Sequence, residues 1–156
     1  YGLTAMILVQ RVAHGDNLMA MLNKVGLRSQ FINGSDDSDE RKEALKRLGS
    51  GDIHVLIGTN ILDVGVDVPS VGCIVLAGGG KAEVANRQRI GHGLRAKKKG
   101  PNVCFVLDFE DEHNNHLLKH AQQRREIITS TTGFAENLLP RGTDWKLDDY
   151  GFKRIV

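Results

Sequence analysis

Cysteine is scarce: Cys73 and Cys104 are the only two in 156 residues, and no CxxC or Cys/His spacing accompanies them. That excludes a disulfide framework and argues against a metal knuckle. Both lie in apolar runs, Val71–Leu76 and Val103–Leu107, so buried free thiols in a reducing compartment are expected. No apolar run approaches the roughly 20 residues of a membrane span, and no signal peptide is evident, so no membrane partner is expected and a cytoplasmic setting is. Net charge is only +2, which says nothing of partners in bulk. Repeats and low-complexity tracts are absent as well. What remains is an ordinary globular composition, 40% apolar and 26% charged, with 18 glycines implying many tight loops. The length suits one domain with a small appendage. Beginning at Tyr1, without methionine and just before an apolar strand, the chain reads as a fragment of a longer protein.

Short apolar runs alternate with helical patterns. Ala5–Val9, Ser29–Ile32, Val55–Ile57, Cys73–Leu76 and Val103–Leu107 read as strands. His14–Val25 has Leu18, Met21, Leu22 and Val25 at helical spacing and ends at Gly26. A second helix opens at Ser38, a candidate cap before Asp39 and Glu40, and closes at Gly49-Ser50-Gly51. Ala82–Arg95 and Asn115–Ile128 complete the set. Such alternation predicts a three-layer α/β domain, with a mainly parallel sheet of five or six strands flanked by helices and right-handed crossovers. From about Gly133 the periodicity is lost, yet Phe134, Leu138, Leu139, Trp145, Tyr150 and Phe152 keep the tail apolar. It is expected to pack on this domain or on another one. The domain division is therefore 1–132 and a C-terminal extension, 133–156.

Charge is informative locally. Arg87, Arg89, Arg95, Lys97, Lys98 and Lys99 fall within 13 residues that contain no acid. Guanidinium forks suit phosphate oxygens, although a solvated helix end with a lysine-rich loop explains a patch standing alone equally well. Ligands of open parallel sheets meet the loops at the carboxyl ends of the strands. Gly58–Pro69 follows the third strand and supplies a hydroxyl in Thr59, close backbone approach at Gly65, and a carboxylate, Asp67, beside rigid Pro69. Gly78-Gly79-Gly80-Lys81 sits between a strand and a helix as a phosphate loop does, but the pattern fails twice. Val75 stands where the first glycine belongs, and Ala82 where the magnesium-binding hydroxyl belongs. We read it as a turn.

Gly58–Pro69 and Gln88-Arg89-Ile90-Gly91-His92-Gly93-Leu94-Arg95 together resemble motifs V and VI of superfamily 2 helicases, in order and about 20 residues apart across a strand. Met6–Arg11 with His14 is similar to motif IV, and Gly34 to Arg41 to the stretch that follows it. The resemblance covers roughly Ala5 to Glu126 and fails beyond Gly133. It implies a RecA-like, P-loop-NTPase-like fold, closest in style to the DNA-repair and phage branch. It also implies that this chain is the second motor domain of an ATP-dependent helicase or translocase. ATP and Mg2+ would be held mostly by a missing N-terminal RecA-like domain of the same protein, so the isolated fragment is expected to be inactive. By the same resemblance Thr59, Gln10, Arg11 and Gly34 contact a nucleic-acid backbone, DNA ahead of RNA. Gly65, Asp67, Arg89 and Arg95 fall to the nucleotide, while Arg95, His92 and Gln88 stand in the catalytic set. One departure matters: His92 occupies the usual arginine-finger position, and a histidine is mostly neutral at pH 7. That departure supports an alternative, a degenerate module that binds nucleic acid or protein without catalysis. His113, His116 and His120 lie three and four apart, but no metal is expected, since exposed helix residues explain them better.

Overall fold

The computed structural model describes residues 1–59, 71–78, 97, 100–130 and 139–155. Within them the strands are β1 (Ala5–Leu8), β2 (Ser29–Ile32), β3 (Val55–Gly58), β4 (Cys73–Leu76) and β5 (Phe105–Asp108). The helices are α1 (Val12–Lys24), α2 (Ser38–Ser50) and α3 (Asn115–Ser130), with a short 3-10 turn at Leu147–Tyr150. All the strand pairings are parallel and the order is β2-β3-β1-β4-β5. The expected parallel α/β architecture is therefore present. The last strand begins two residues later than its apolar run, leaving Cys104 just outside it.

The strict alternation of side chains along each strand sorts the core into two faces. Met6, Leu8, Leu56, Ile74 and Leu76 meet Ala44, Leu45 and Leu48 of α2, with Val106 and Ile128 packed against them. Ile7, Val9, Val55 and Ile57 form the opposite face, against Leu18, Met19 and Leu22 of α1 and Phe31 of β2. The runs of Ile, Leu and Val reflect this burial on both sides of the central strands. Helix α1 lies close because Gly15 is buried: a Cβ there would stand 2.5 Å from the Phe31 ring.

The start of α2 corrects one reading. Asp37, not Ser38, is the cap: its Oδ1 accepts the N–H groups of Asp39 (2.9 Å) and Glu40 (2.8 Å). The Glu40 carboxylate returns to the Asp37 N–H at 3.2 Å, closing a reciprocal capping box. Ser38 is the first helical residue, one step too late for its hydroxyl to serve. Asp37→Ala is expected to cost about 1 kcal/mol of unfolding free energy, read from urea denaturation; Ser38→Ala should be near neutral. A larger loss from Ser38→Ala than from Asp37→Ala would contradict the assignment.

The C-terminal segment rests on β5. Phe105 stacks on Trp145 (centroids 4.9 Å apart), meets Tyr150 edge-on (5.0 Å) and lies tilted against buried Phe152 (5.9 Å). Tyr1 donates its hydroxyl to Asp148 at 2.8 Å and accepts from Arg154 at 3.2 Å, so the segment also meets the start of the chain.

Candidate nucleic-acid interface

Because every strand runs the same way, their carboxyl ends open onto one edge of the sheet. The Leu8 and Ile32 positions are both in register with Gly58, which sets the residues that follow at one level. Val9 donates to the Gly58 carbonyl (3.0 Å), Thr59 to the Ile32 carbonyl (3.3 Å) and Ala77 to the Leu8 carbonyl (2.9 Å). With neighbouring strands about 4.8 Å apart, the residues that leave β2, β3 and β1 share roughly 10 Å of edge.

Four of the sequence-derived site residues stand there. Gln10 and Arg11 follow β1 and are exposed; Thr59 follows β3 and is half-buried; Gly34 follows β2 and is exposed. Arg11 is the N-cap of α1 in extended geometry, without a side-chain cap bond and without an acid in the helix's first turn. The positive helix end and the Arg11 guanidinium thus add at this edge. Gly34 is held by its surroundings. Its carbonyl accepts from Arg41 Nη2 (2.9 Å), while Asn33 donates its N–H to Asp36 (2.7 Å) and accepts from the Ser35 N–H (2.8 Å). Arg41, which sequence placed near the helix start, is therefore a buttress of the Gly34 turn. The arrangement suits an extended polyanion: a backbone turn, a hydroxyl, an amide and a guanidinium in a row.

The remaining site residues, Gly65, Asp67, Gln88, Arg89, His92 and Arg95, lie outside the described residues, as does the predicted helix Ala82–Arg95. At the end of β4 Gly78 is described and buried, so it offers no open cradle for phosphates. Among the described residues no group of three or more His, Cys, Asp or Glu could hold a metal ion. The described part of the edge thus does not fit a magnesium-triphosphate complex by itself. The histidine trio is less uniform than its spacing suggested. His113 precedes α3 and is exposed, whereas the His116 and His120 rings touch, with centroids 4.1 Å apart, and His120 is half-buried.

Two features escaped sequence reasoning. Arg124 is 3% exposed, and its Nε meets both Asp108 oxygens (3.2 and 3.0 Å) while Nη2 donates to the Phe109 carbonyl (2.9 Å). The signal was available: Leu117, Ala121, Arg124 and Ile128 lie on one helical stripe, and an arginine there requires a buried partner. The second is Lys97, whose ammonium donates to the Val103 carbonyl and lies 5.0 Å from the centroid of the Phe152 ring. Burial lowers its pKa, against an opposing influence from Cys104. Both thiols are half-buried and free. Burial raises the Cys73 pKa and pushes that of Cys104 up to about 11, with Cys73 adding and Lys97 opposing, so both stay protonated at neutral pH.

A five-stranded parallel sheet with helices on both faces and polar residues gathered at its carboxyl edge is the architecture of a RecA-like domain. Residues 2–97, more than half of the chain, match the helicase conserved C-terminal domain family, and this chain belongs to it: it is the C-terminal domain of a superfamily 2 helicase. It is 29% identical to UvrABC system protein B of Chlorobaculum tepidum over 130 residues, 81% of this chain and 19% of that protein. It is 28% identical to the ATP-dependent RNA helicase SrmB of Haemophilus influenzae over 123 residues, 79% of this chain and 27% of that protein. The chain therefore spans about a fifth to a quarter of these relatives' length. The crystal structure of T4 UvsW shares the fold, with a TM-score of 0.64 at 23% identity over 82% of this chain and 29% of that one.

Proposed function

We propose that this chain is the second motor domain of an ATP-dependent helicase or translocase, completing the ATP site in trans to an N-terminal RecA-like domain. The observation that carries the reading is the row of Gly34, Thr59, Gln10 and Arg11 on three adjoining strand ends, in a helicase C-terminal domain. These residues hold one strand's phosphates, and binding is salt-sensitive and largely independent of sequence. The phosphate loop and the magnesium ligands belong to the other domain, because Gly78–Lys81 lacks the required glycine and hydroxyl. ATP supplies the phosphoryl bond whose cleavage drives closing and opening of the two domains. Arg95 sets positive charge against the terminal phosphate, Asp67 and Gly65 line the far wall, and Arg89 and Gln88 hold the motif in place. The strand is DNA in preference to RNA, following the style of motif VI; the likeness to an RNA helicase makes RNA the comparator. The setting is the cytoplasm of a bacterial or phage-infected cell.

ATP hydrolysis by this chain, and by the longer protein with its natural upstream segment, tests the split site. The chain alone is expected to be silent, and the longer protein to turn over ATP faster with single-stranded DNA. Turnover by the chain alone would overturn the reading. Silence from both favours a degenerate binding module, for which His92 is the supporting feature.

A further inference from the structure

The chain enters the sheet at its amino edge. The Thr4 carbonyl accepts from the Gly72 N–H (2.9 Å) and the Gly72 carbonyl from the Phe105 N–H (2.9 Å), which ties Thr4, Gly72 and Phe105 in one row. Leu3 lies over Gly72, where a Cβ would stand 2.5 Å from Leu3 Cδ2. Up to Leu3, then, the sheet itself holds the chain. Tyr1 and Gly2 are held by the other end of the molecule. The Tyr1 hydroxyl donates to Asp148 (2.8 Å) and accepts from Arg154 Nε (3.2 Å), and the Arg154 guanidinium lies 5.8 Å from the centroid of the Tyr1 ring. Gly2, at φ of 64°, meets the Ile155 side chain, with which a Cβ there would clash. One segment makes all these contacts, and it is anchored: Phe152 is 6% exposed and packs on Phe105, the last member of the row, at 5.9 Å. The hold therefore has a firm end at Phe152 and a weak end at Tyr1, where exposed contacts are each worth at most about fivefold in an equilibrium. The segment lies beyond residues 2–97, so the family match does not account for it.

We propose that the segment 148–155 is a strap on the chain's entry: seated by Phe152 on Phe105, it fastens Tyr1 and Gly2 at the amino edge of the sheet and so restrains the joint to the N-terminal motor domain. The proposal rests on the reading that such a domain precedes this one in the same protein. Fastened, the chain leaves this domain from Tyr1 in a set direction. Released, it pivots at Leu3, and two further residues of free chain, at up to about 3.5 Å each, widen its reach by roughly 7 Å. The strap sits at the edge opposite Gly34, Thr59, Gln10 and Arg11, so it limits the swing of the two domains without touching the nucleic-acid contacts. Contacts as weak as those at Tyr1 open and reclose readily, as a hinge between moving domains requires.

The test uses the longer protein with its natural upstream segment, carrying Arg154→Met, Asp148→Ala or, as a control on the same segment, Lys153→Met. All three side chains are exposed and Phe152 is left in place, so the fold is retained. Chymotrypsin cuts after tyrosine, and the Tyr1–Gly2 bond is open to it only while the strap is off. Cleavage of a transiently opened bond tracks the open population. The fragment that begins at Gly2, identified by its mass, is expected to appear about fivefold faster with Arg154→Met and Asp148→Ala, and at the parent rate with Lys153→Met. Pulsed electron resonance, without nucleotide, gives a second readout between a spin label at Lys46→Cys on α2 and one on the N-terminal domain. The distance distribution is expected to broaden by several ångströms, on the order of the added reach, in the first two variants only. Unaltered cleavage after Tyr1 would overturn the strap. Faster cleavage with an unaltered distance distribution would overturn its restraint on the domains. ATP turnover by the same samples keeps the underlying reading separate: a silent parent whose distances still widen in the variants removes the motor reading and supports the strap.

Discussion

Arg95→Ala in the two-domain protein is expected to lower DNA-stimulated ATP turnover about 10³-fold, with nucleotide affinity changed far less. The magnitude follows from the role: an arginine that meets charge developing on a transferred phosphoryl group is worth about 10³–10⁵ in rate in NTPases. Motif VI normally provides two such guanidiniums, and here the usual finger position is His92. A neutral imidazole is shorter and carries little charge at pH 7. On the proposed reading Arg95 then carries nearly the whole electrostatic contribution, which is why its loss should be so costly. His92→Arg is the companion variant and should raise turnover. Steady-state kinetics at saturating ATP and DNA decide both. Turnover within threefold of the parent for Arg95→Ala would remove it from the site. No gain from His92→Arg in an otherwise silent parent would point to the degenerate module.

Arg124→Ala should be the most destabilising single change at a charged residue of the described fold, by about 2–4 kcal/mol. The arginine side chain is 4% exposed, and it ties the middle of α3 to the end of β5 through Asp108 and the Phe109 carbonyl. Truncation takes the donor from the Phe109 carbonyl and leaves the Asp108 carboxylate beside a cavity. Asp108 keeps 24% of its side-chain surface in water, so it can hydrate in part, and the loss should fall short of that for a fully enclosed pair. For a domain of this size the thermal midpoint should drop by roughly 5–15 °C. Arg124→Met with Asp108→Asn should recover part of it, since both charges are then gone. A loss below about 1 kcal/mol would mean that the pair is no stronger than a surface one. The neighbouring exposed pairs of Arg141 with Glu110 and Glu112, at 3.4 and 2.7 Å, should each matter little to stability.

How much of this was legible beforehand depended on whether the cause was local. Ser29–Ile32 and Cys73–Leu76 were read to the residue, because an apolar run bounded by turn signals carries its own pattern. The end of α1 was legible for the same reason: Gly26 adopts φ of 79°, and the N–H groups of Gly26 and Leu27 close onto Asn23 and Leu22. Its beginning was not. Val12 and Ala13 are helical although nothing apolar in their spacing announced it, because the extended Arg11 that leaves β1 takes the N-cap. Asp37 and Ser38 show the limit in a single step, since both are good caps and only backbone geometry chose between them.

The helicase resemblance was likewise a property of sequence. Thr59, Gln10, Arg11 and Gly34 could each be named from short motifs, and the family match over residues 2–97 follows from the same letters. Their assembly into one row could not be read, because it needs β1 to lie between β3 and β4 with β2 outermost. That order is set by pairing between strands far apart in the chain. The same holds for Arg124 finding Asp108, for Phe105 gathering Trp145, Tyr150 and Phe152, and for the Lys97 ammonium lying over the Phe152 ring. Among the described residues, sequence by itself determined which segments are strands and long helices, and it determined to which family the chain belongs, since periodicity, capping and motif spacing act within a few residues. Tertiary structure alone decided which residues meet, since burial and pairing are settled only when distant segments compete for the same surface.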